Sequence, residues 1–148
     1  MMCHIKKLIY YIKKYPLSLL VVTVVVYLSF FRPPSDTGLG DIPHLDKVVH
    51  FCMYFGMVGI LWFEFLRNHF MQHAPMWHAW VGGMLFPVLF GGVVELLQEY
   101  CTNHRGGDWL DFAANTTGAV VGSLVAYYIL RPNMGKILAW CKKNRKKI

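Results

Sequence analysis

Polar and ionisable side chains interrupt two apolar segments between residues 95 and 122, and these side chains could do chemistry. An acidic group near a bilayer centre costs about 2.5–3.5 kcal/mol on insertion scales, so such groups usually face other helices and mark functional sites. The sequence therefore predicts proton transfer by Glu95. Ligand binding is predicted for Gln98, Arg105, Asp108, Asp111 and Asn115.

A second polar grouping lies earlier in the chain. Asp46, His50 and Tyr54 recur every fourth residue, which places them on one face of a helix, and Lys47 stands beside them. A neighbouring carboxylate raises the basicity of a histidine, so His50 is the second candidate for proton transfer. Asp46, Lys47 and Tyr54 are predicted to bind the ligand. The alternative is an interfacial histidine that only hydrogen-bonds Asp46.

The groups near Glu95 also have structural interpretations. Glu95 could pair with a polar neighbour, and the candidates are Arg105, His50 and Asn115. Asp111 and Asn115 lie four apart and could form an interhelical clamp, although such contacts average only about 0.6 kcal/mol. The simplest interpretation of Asp108 is that it is the N-cap of the following helix.

Two ligand chemistries remain open for the same turn. Arg105 with the two glycines that follow it could approach an anion closely. Glu95, Asp108 and Asp111 could instead hold a divalent cation through oxygen ligands. Their spacing does not require such an ion, and the sequence itself predicts no metal site and no cofactor.

Composition indicates a membrane protein of one domain. The chain has 148 residues, of which 55% are hydrophobic and 16% charged, against about 25% charged residues in soluble domains. The formal net charge is +7, with basic residues crowded at the two ends. No nucleic-acid motif accompanies them, so we expect membrane lipids rather than nucleic acid as partners. The four cysteines show no paired spacing, which predicts neither a disulfide nor a zinc site.

The apolar segments predict an all-α, polytopic membrane protein with four transmembrane helices in a bundle. The predicted helices cover residues 16–31, 48–66, 77–101 and 109–130, with basic interfacial tails at 1–15 and 131–148. The first could be a signal peptide, but its exit lacks a small-residue cleavage site, so we expect an uncleaved helix. Pro87 predicts a kink in the third helix. Gly118 and Gly122 form a small-residue packing face, which could also serve a homo-oligomer.

The distribution of basic residues predicts the orientation. With four spans, both termini and the middle turn share one side, which holds most of the lysines and arginines. The positive-inside rule then places both termini in the cytoplasm. This orientation brings the Asp46 grouping and the Glu95–Asn115 turn to the same outer leaflet.

The polar pattern resembles the VanZ-like family of small bacterial membrane proteins, related to a teicoplanin-resistance protein. The resemblance rests on three motifs between about Asp46 and Tyr128. They are Asp46-Lys47-x-x-His50-x-x-x-Tyr54, then Glu95-x-x-Gln98, then Arg105, Asp108, Asp111, Asn115, Gly118 and Gly122 in order.

The resemblance implies a multi-pass protein of the bacterial cytoplasmic membrane that lowers sensitivity to teicoplanin-type glycopeptides. We therefore expect an outer-leaflet polar pocket that binds or processes a lipid-linked cell-envelope molecule or an amphiphilic glycopeptide. Membership does not decide whether the protein is an enzyme. The alternative is a non-enzymatic structural or partner-binding module whose polar cluster only stabilises helix packing.

Overall fold

The computed structural model describes residues 9–31, 44–70, 75–101 and 108–145, without the side chains of Phe31, Cys101 and Arg145. Arg105 and the glycines beside it lie outside the described residues. The same is true of residues 1–8, which belong to the predicted basic lead-in, and of the loop at 32–43.

Helices make up all the regular structure in the described ranges. Helix α1 covers Pro16–Phe31, and α2 covers Leu45–His69. Helix α3 combines an α-helical start at Trp77–Trp80, a π-helical turn at Val81–Leu85 and an α-helical part at Phe86–Cys101. Helix α4 is built in the same way from Trp109–Val125, a π-helical turn at Ala126–Leu130 and Arg131–Arg145.

Three of these helices are long and apolar enough to cross a membrane. The qualifying segments are Leu45–His69, Trp77–Tyr100 and Trp109–Asn144. Helix α1 is apolar but shorter, and about 20 residues are needed to span a bilayer. The all-helical architecture is therefore confirmed, and three of the four predicted spans are long and apolar enough to cross a membrane.

Two predicted helices have different boundaries in the structure. Helix α2 covers Leu45–His69 rather than 48–66, so Asp46 lies in its first turn; His44, with φ of 64°, is at the N-cap position without a side-chain cap bond. Helix α4 continues beyond residue 130 to Arg145, where a separate tail was predicted. The predicted N-cap Asp108 is confirmed, because its side chain accepts a hydrogen bond from the Leu110 N–H.

Both π-helical turns stand two residues before a proline, Pro87 in α3 and Pro132 in α4. Proline lacks an N–H, and its ring crowds the carbonyl four residues earlier, so a wider turn relieves the clash. In α3 that carbonyl belongs to Gly83, and it accepts a hydrogen bond from Ser123 Oγ at 3.1 Å. The defect expected at Pro87 is thus a π turn whose freed carbonyl is satisfied by α4.

The small-residue face of α4 packs against α2. A Cβ on Gly118 would collide with the carbonyl oxygen of Phe51, and one on Gly122 would lie 3.2 Å from that of Phe55. Only glycine allows the two backbones to run this close. This contact lies within one chain, so the glycines are already buried, and a homo-oligomer through them stays a prediction.

Candidate functional site

Four helix ends meet at one end of the bundle. Helices α2 and α4 begin there, and α1 and α3 finish there. Gln98 on α3 ties α1 to this end by donating from Nε2 to the Ser29 carbonyl oxygen at 2.8 Å. Lys47 on α2 reaches Asp108 at the start of α4, 61 residues further along the chain. The two polar groupings predicted to share one side of the membrane are therefore in direct contact.

Lys47 is the electrostatic centre of this cluster. Its Nζ lies 2.5 Å from Asp108 Oδ2, 2.6 Å from Asp111 Oδ1 and 3.4 Å from Asp46 Oδ2. Asp111 is almost fully buried, at 3% exposure, and a buried carboxylate needs such a partner. The ammonium predicted to bind the ligand thus pairs with carboxylates of the protein and joins α2 to α4.

His50 is buried between the same two helices, at 2% exposure. Its Nδ1 lies 3.0 Å from Asn115 Oδ1. Its Nε2 faces two carboxylates, 3.6 Å from Asp46 Oδ1 and 3.7 Å from Asp111 Oδ2. The structure therefore places His50 beside Asp46, as its spacing predicted, and adds Asp111 and Asn115 from α4.

Glu95 brings α3 into the cluster. It is 7% exposed, and its Oε1 accepts a hydrogen bond from Asn115 Nδ2 at 3.2 Å. Its Oε2 accepts one from the Asp108 backbone N–H at 3.3 Å. Asn115 therefore stands between the two residues predicted to transfer protons, with its amide nitrogen toward Glu95 and its oxygen toward His50.

Asp108 is the most exposed carboxylate of the α4 start, with 41% of its side chain accessible. The Lys47 ammonium, which donates to its Oδ2, holds the pKa of this carboxyl below its usual range. The Leu110 backbone N–H, which donates to Oδ1 at 2.8 Å, acts in the same direction. Asp108 is therefore ionised near neutral pH and carries charge at the rim of the cluster.

Two predicted binding residues lie at the margin of this cluster. Tyr54 is fully buried in a core with Val25 and Met57, and its ring packs against Gly91 on α3. Among the described residues its hydroxyl has no hydrogen-bond partner. Gln98 fastens the end of α1, as described above. Neither side chain contacts Lys47 in the interactions that the structure describes, and Arg105 is outside the described residues.

A cavity of about 370 Å³ opens beside Glu95, between α3 and α4. Its polar wall is formed by Glu95, Glu99 and Asp108. The apolar wall consists of Gly92, Leu96, Tyr100, Trp109 and Phe112. An apolar cavity with a few convergent polar groups is the usual form of a ligand site.

The sequence predictions missed the apolar wall of this cavity. One face of α3 carries residues at intervals of four, namely Gly92, Leu96 and Tyr100. The predicted residue Glu95 directly precedes Leu96. That spacing could have identified the α3 wall. The facing wall, Trp109 and Phe112, depends on how α3 and α4 pack, which no local pattern reveals.

Among the described residues, one group of three side chains could hold a metal ion. Asp46, His50 and Asp111 each offer one ligand atom, and these atoms lie within 4.8 Å of one another. The sequence predicted no metal site, and its open alternative named Glu95 and Asp108 with Asp111. The folded chain instead groups Asp111 with residues of α2.

No model of a known protein family, no curated protein and no solved structure matches this chain. The VanZ-like resemblance is therefore still a prediction from the motifs themselves. Function must be argued from the geometry of the Glu95 cavity and the cluster beside it.

Proposed function

We propose that this chain is a VanZ-like, multi-pass protein of the bacterial cytoplasmic membrane that binds an amphiphilic cell-envelope molecule at the outer leaflet. In this arrangement α1 is a fourth span, continued by the helical residues 9–14, and both termini are cytoplasmic. The crowding of basic residues at the two chain ends supports this orientation. The Glu95 end of the bundle then lies at the outer face.

The observation that carries this proposal is a buried carboxyl at the wall of an apolar cavity. Glu95 is 7% exposed and lines the cavity between α3 and α4. Opposite stand Trp109 and Phe112, which suit an acyl or isoprenoid chain. A molecule with a polar head and an apolar tail fits both surfaces at once.

The charge of the cavity selects the kind of head group. Glu95, Glu99 and Asp108 line it with carboxyl groups, which when ionised only accept hydrogen bonds. Lys47 is paired with Asp108 and Asp111 rather than open to an anion. Among the residues that the structure describes, the cavity therefore suits a ligand that supplies donors, such as sugar hydroxyls, amide N–H groups or an ammonium. Lipid-linked saccharides or peptides and lipoglycopeptides have such heads, whereas a bare phosphate does not.

If the protein also processes this ligand, Glu95 is the residue positioned to accept a proton from it. A general base must lie within hydrogen-bond reach of the proton that it removes, and Glu95 is at the cavity wall. His50 meets Glu95 through Asn115. An amide holds both neighbours in place but does not pass a proton readily, so His50 acts by orientation in this scheme.

A structural module is the second candidate function, and a specific observation favours it. Lys47, Asn115 and Glu95 join α2, α3 and α4 through polar contacts inside one chain. A polar clamp of this kind holds helices together without any ligand. Under this alternative the cavity holds no ligand, so filling the cavity would not change any ligand binding.

Filling the cavity tests the proposal. Leu96→Trp places a large ring in the cavity, whereas Leu97→Trp, on the same helix and also exposed, changes a residue outside the cavity wall. The purified chain in detergent is titrated with teicoplanin and with a lipid-linked cell-wall precursor, and ligand-dependent fluorescence is recorded. We expect Leu96→Trp to weaken binding by about tenfold, or 1.4 kcal/mol, and Leu97→Trp to leave it unchanged.

A phospholipid with a phosphate-only head serves as the ligand control, and we expect it not to compete. Equal binding by both tryptophan variants would contradict a ligand site at Leu96. If neither amphiphile binds and both variants fold normally, the structural module is the correct interpretation.

A further inference from the structure

Asp46, His50 and Asp111 form a second site next to the cavity, distinct from it in residues and chemistry. His50 Nε2 lies 3.6 Å from Asp46 Oδ1 and 3.7 Å from Asp111 Oδ2. These separations exceed the 2.7–3.2 Å usual for a direct hydrogen bond. Ligands held at about 2.0–2.1 Å from a tetrahedral ion stand about 3.3–3.5 Å from one another. His50 Nε2 is therefore spaced from each carboxylate much as ligands of one ion are, and the three ligand atoms all lie within 4.8 Å of one another.

The neighbours of His50 fix which of its nitrogens can bind a cation. An ionised Glu95 only accepts hydrogen bonds, so the amide nitrogen of Asn115 must face it, as it does at 3.2 Å. The Asn115 oxygen then faces His50 Nδ1 at 3.0 Å and requires a proton there. In a neutral His50 the lone pair is consequently on Nε2, toward the two carboxylates. Metal-ligating histidines are usually oriented by such a hydrogen bond at the other ring nitrogen.

Lys47 and His50 face different oxygens of the two carboxylates. Lys47 approaches Asp46 Oδ2 and Asp111 Oδ1. His50 Nε2 faces the other oxygen of each group, Asp46 Oδ1 and Asp111 Oδ2. Among the described side chains, the oxygens that face His50 are thus not the ones that Lys47 approaches.

The three side chains differ in exposure. His50 and Asp111 are nearly inaccessible, whereas 37% of the Asp46 side chain is exposed. An ion would thus enter past Asp46 and be held against the buried pair.

We propose that Asp46, His50 and Asp111 bind a first-row divalent cation, Zn²⁺ or Mn²⁺, with Asn115 as the residue that orients His50. One imidazole nitrogen with carboxylate oxygens suits these ions. Mg²⁺ and Ca²⁺ prefer oxygen ligands alone. The site joins the start of α2 to the start of α4, so the ion would also stabilise the fold.

The test uses the full chain in detergent, stripped by a chelator and free of any affinity tag. Zn²⁺ binding is measured by calorimetry, and Mn²⁺ by paramagnetic resonance, where nitrogen coupling reports a histidine ligand. We expect one ion per chain, a rise in melting temperature, and nitrogen coupling that disappears in His50→Gln. Asp46→Asn, at the exposed ligand, should weaken binding by about tenfold or more while the chain still folds.

His78→Gln is the matched control, because His78 is an exposed histidine near the start of α3, far along the chain from the cluster. It should bind both ions as the unchanged chain does. The proposal is overturned if the unchanged chain binds neither ion. Binding that survives both Asp46→Asn and His50→Gln would also overturn it and would locate the ion elsewhere. Neither result depends on amphiphile binding in the Glu95 cavity.

Discussion

The two ends of the bundle each bury a glutamate, and the two are held in different ways. Glu64 is fully buried on α2. Its oxygens accept from the backbone N–H groups of Leu17 and Ser18, at 3.3 and 2.7 Å, and from Ser18 Oγ at 2.7 Å. Arg67 donates to the same carboxylate at 3.1 Å.

Glu64 therefore caps α1 from another helix. The first N–H groups of a helix have no partner inside it and carry a partial positive charge, so a carboxylate at this position is stabilised. Glu95 also accepts a backbone N–H, that of Asp108, but it lines a cavity. Glu64 is not among the residues that line the described cavity at its own end. The comparison teaches that burial of an acid does not by itself mark a site; adjacent space for a ligand does.

The largest expected effect is a loss of stability on changing Glu64, the structural acid of this comparison. Glu64→Gln leaves one acceptor where two carboxylate oxygens served Leu17, Ser18 and Arg67, and it turns an amide toward backbone donors. We expect a loss of about 3 kcal/mol in the free energy of unfolding, measured by thermal or denaturant unfolding in detergent. Amphiphile binding by the folded fraction should be unchanged.

Glu95→Gln is the matched variant at the other end. Its amide can still accept from Asn115 through its oxygen, so we expect a smaller loss of stability and a clear loss of ligand binding. Equal stability losses in the two variants, with ligand binding retained in both, would remove the distinction between the two glutamates.

Local patterns in the sequence predicted a large part of the polar cluster around Lys47. The spacing of Asp46 and His50 placed them on one face, and Asp108 was identified as an N-cap, because both depend on residues close in sequence. Charge counting predicted that this face and the Glu95 turn share one side, and the two are in contact.

Features set by packing between helices could not be read in this way. The capping of α1 by Glu64 joins residues more than forty positions apart, and periodicity does not reveal which helix end an acid will meet. The extension of α4 past Leu130 was missed because the apolar run ends there and basic residues follow, whereas the π turn before Pro132 lets the helix continue.

A medium effect is expected where the two helices carrying the cluster touch. Gly118→Ala would drive a methyl group into the Phe51 carbonyl, so α2 and α4 must separate. We expect a cost of about 1–3 kcal/mol, together with weaker Zn²⁺ and amphiphile binding, since Lys47 and Asp111 lie on opposite sides of that contact. Gly56→Ala is the control, because a Cβ at Gly56 meets nothing within 4 Å. Unchanged stability in Gly118→Ala would show that the contact is looser than described.

The smallest effect concerns Asp108, where capping and charge can be separated. Asn caps a helix about as well as Asp, so Asp108→Asn removes only the ion pair with Lys47, whereas Asp108→Ala removes both. An exposed ion pair contributes up to about 1 kcal/mol, and we expect a loss within that range for Asp108→Asn. The loss in Asp108→Ala should be larger by about 1 kcal/mol, the usual value of an N-cap.

The pH dependence of the Asp108→Asn effect follows from the lowered pKa of this carboxyl. A carboxyl whose pKa is lower in the folded than in the unfolded chain stabilises the fold above the unfolded pKa, about 3.9 for Asp. That contribution is lost as the pH falls through the folded value, when Asp108 gains a proton and releases Lys47. The stability difference between the unchanged chain and Asp108→Asn should therefore be constant near neutral pH, decline as the pH falls below about 4, and vanish below the folded pKa of Asp108. A difference that persists in acid would mean that the asparagine disturbs the α4 cap rather than the charge, and Asp108 would then belong with Glu64 among the structural acids.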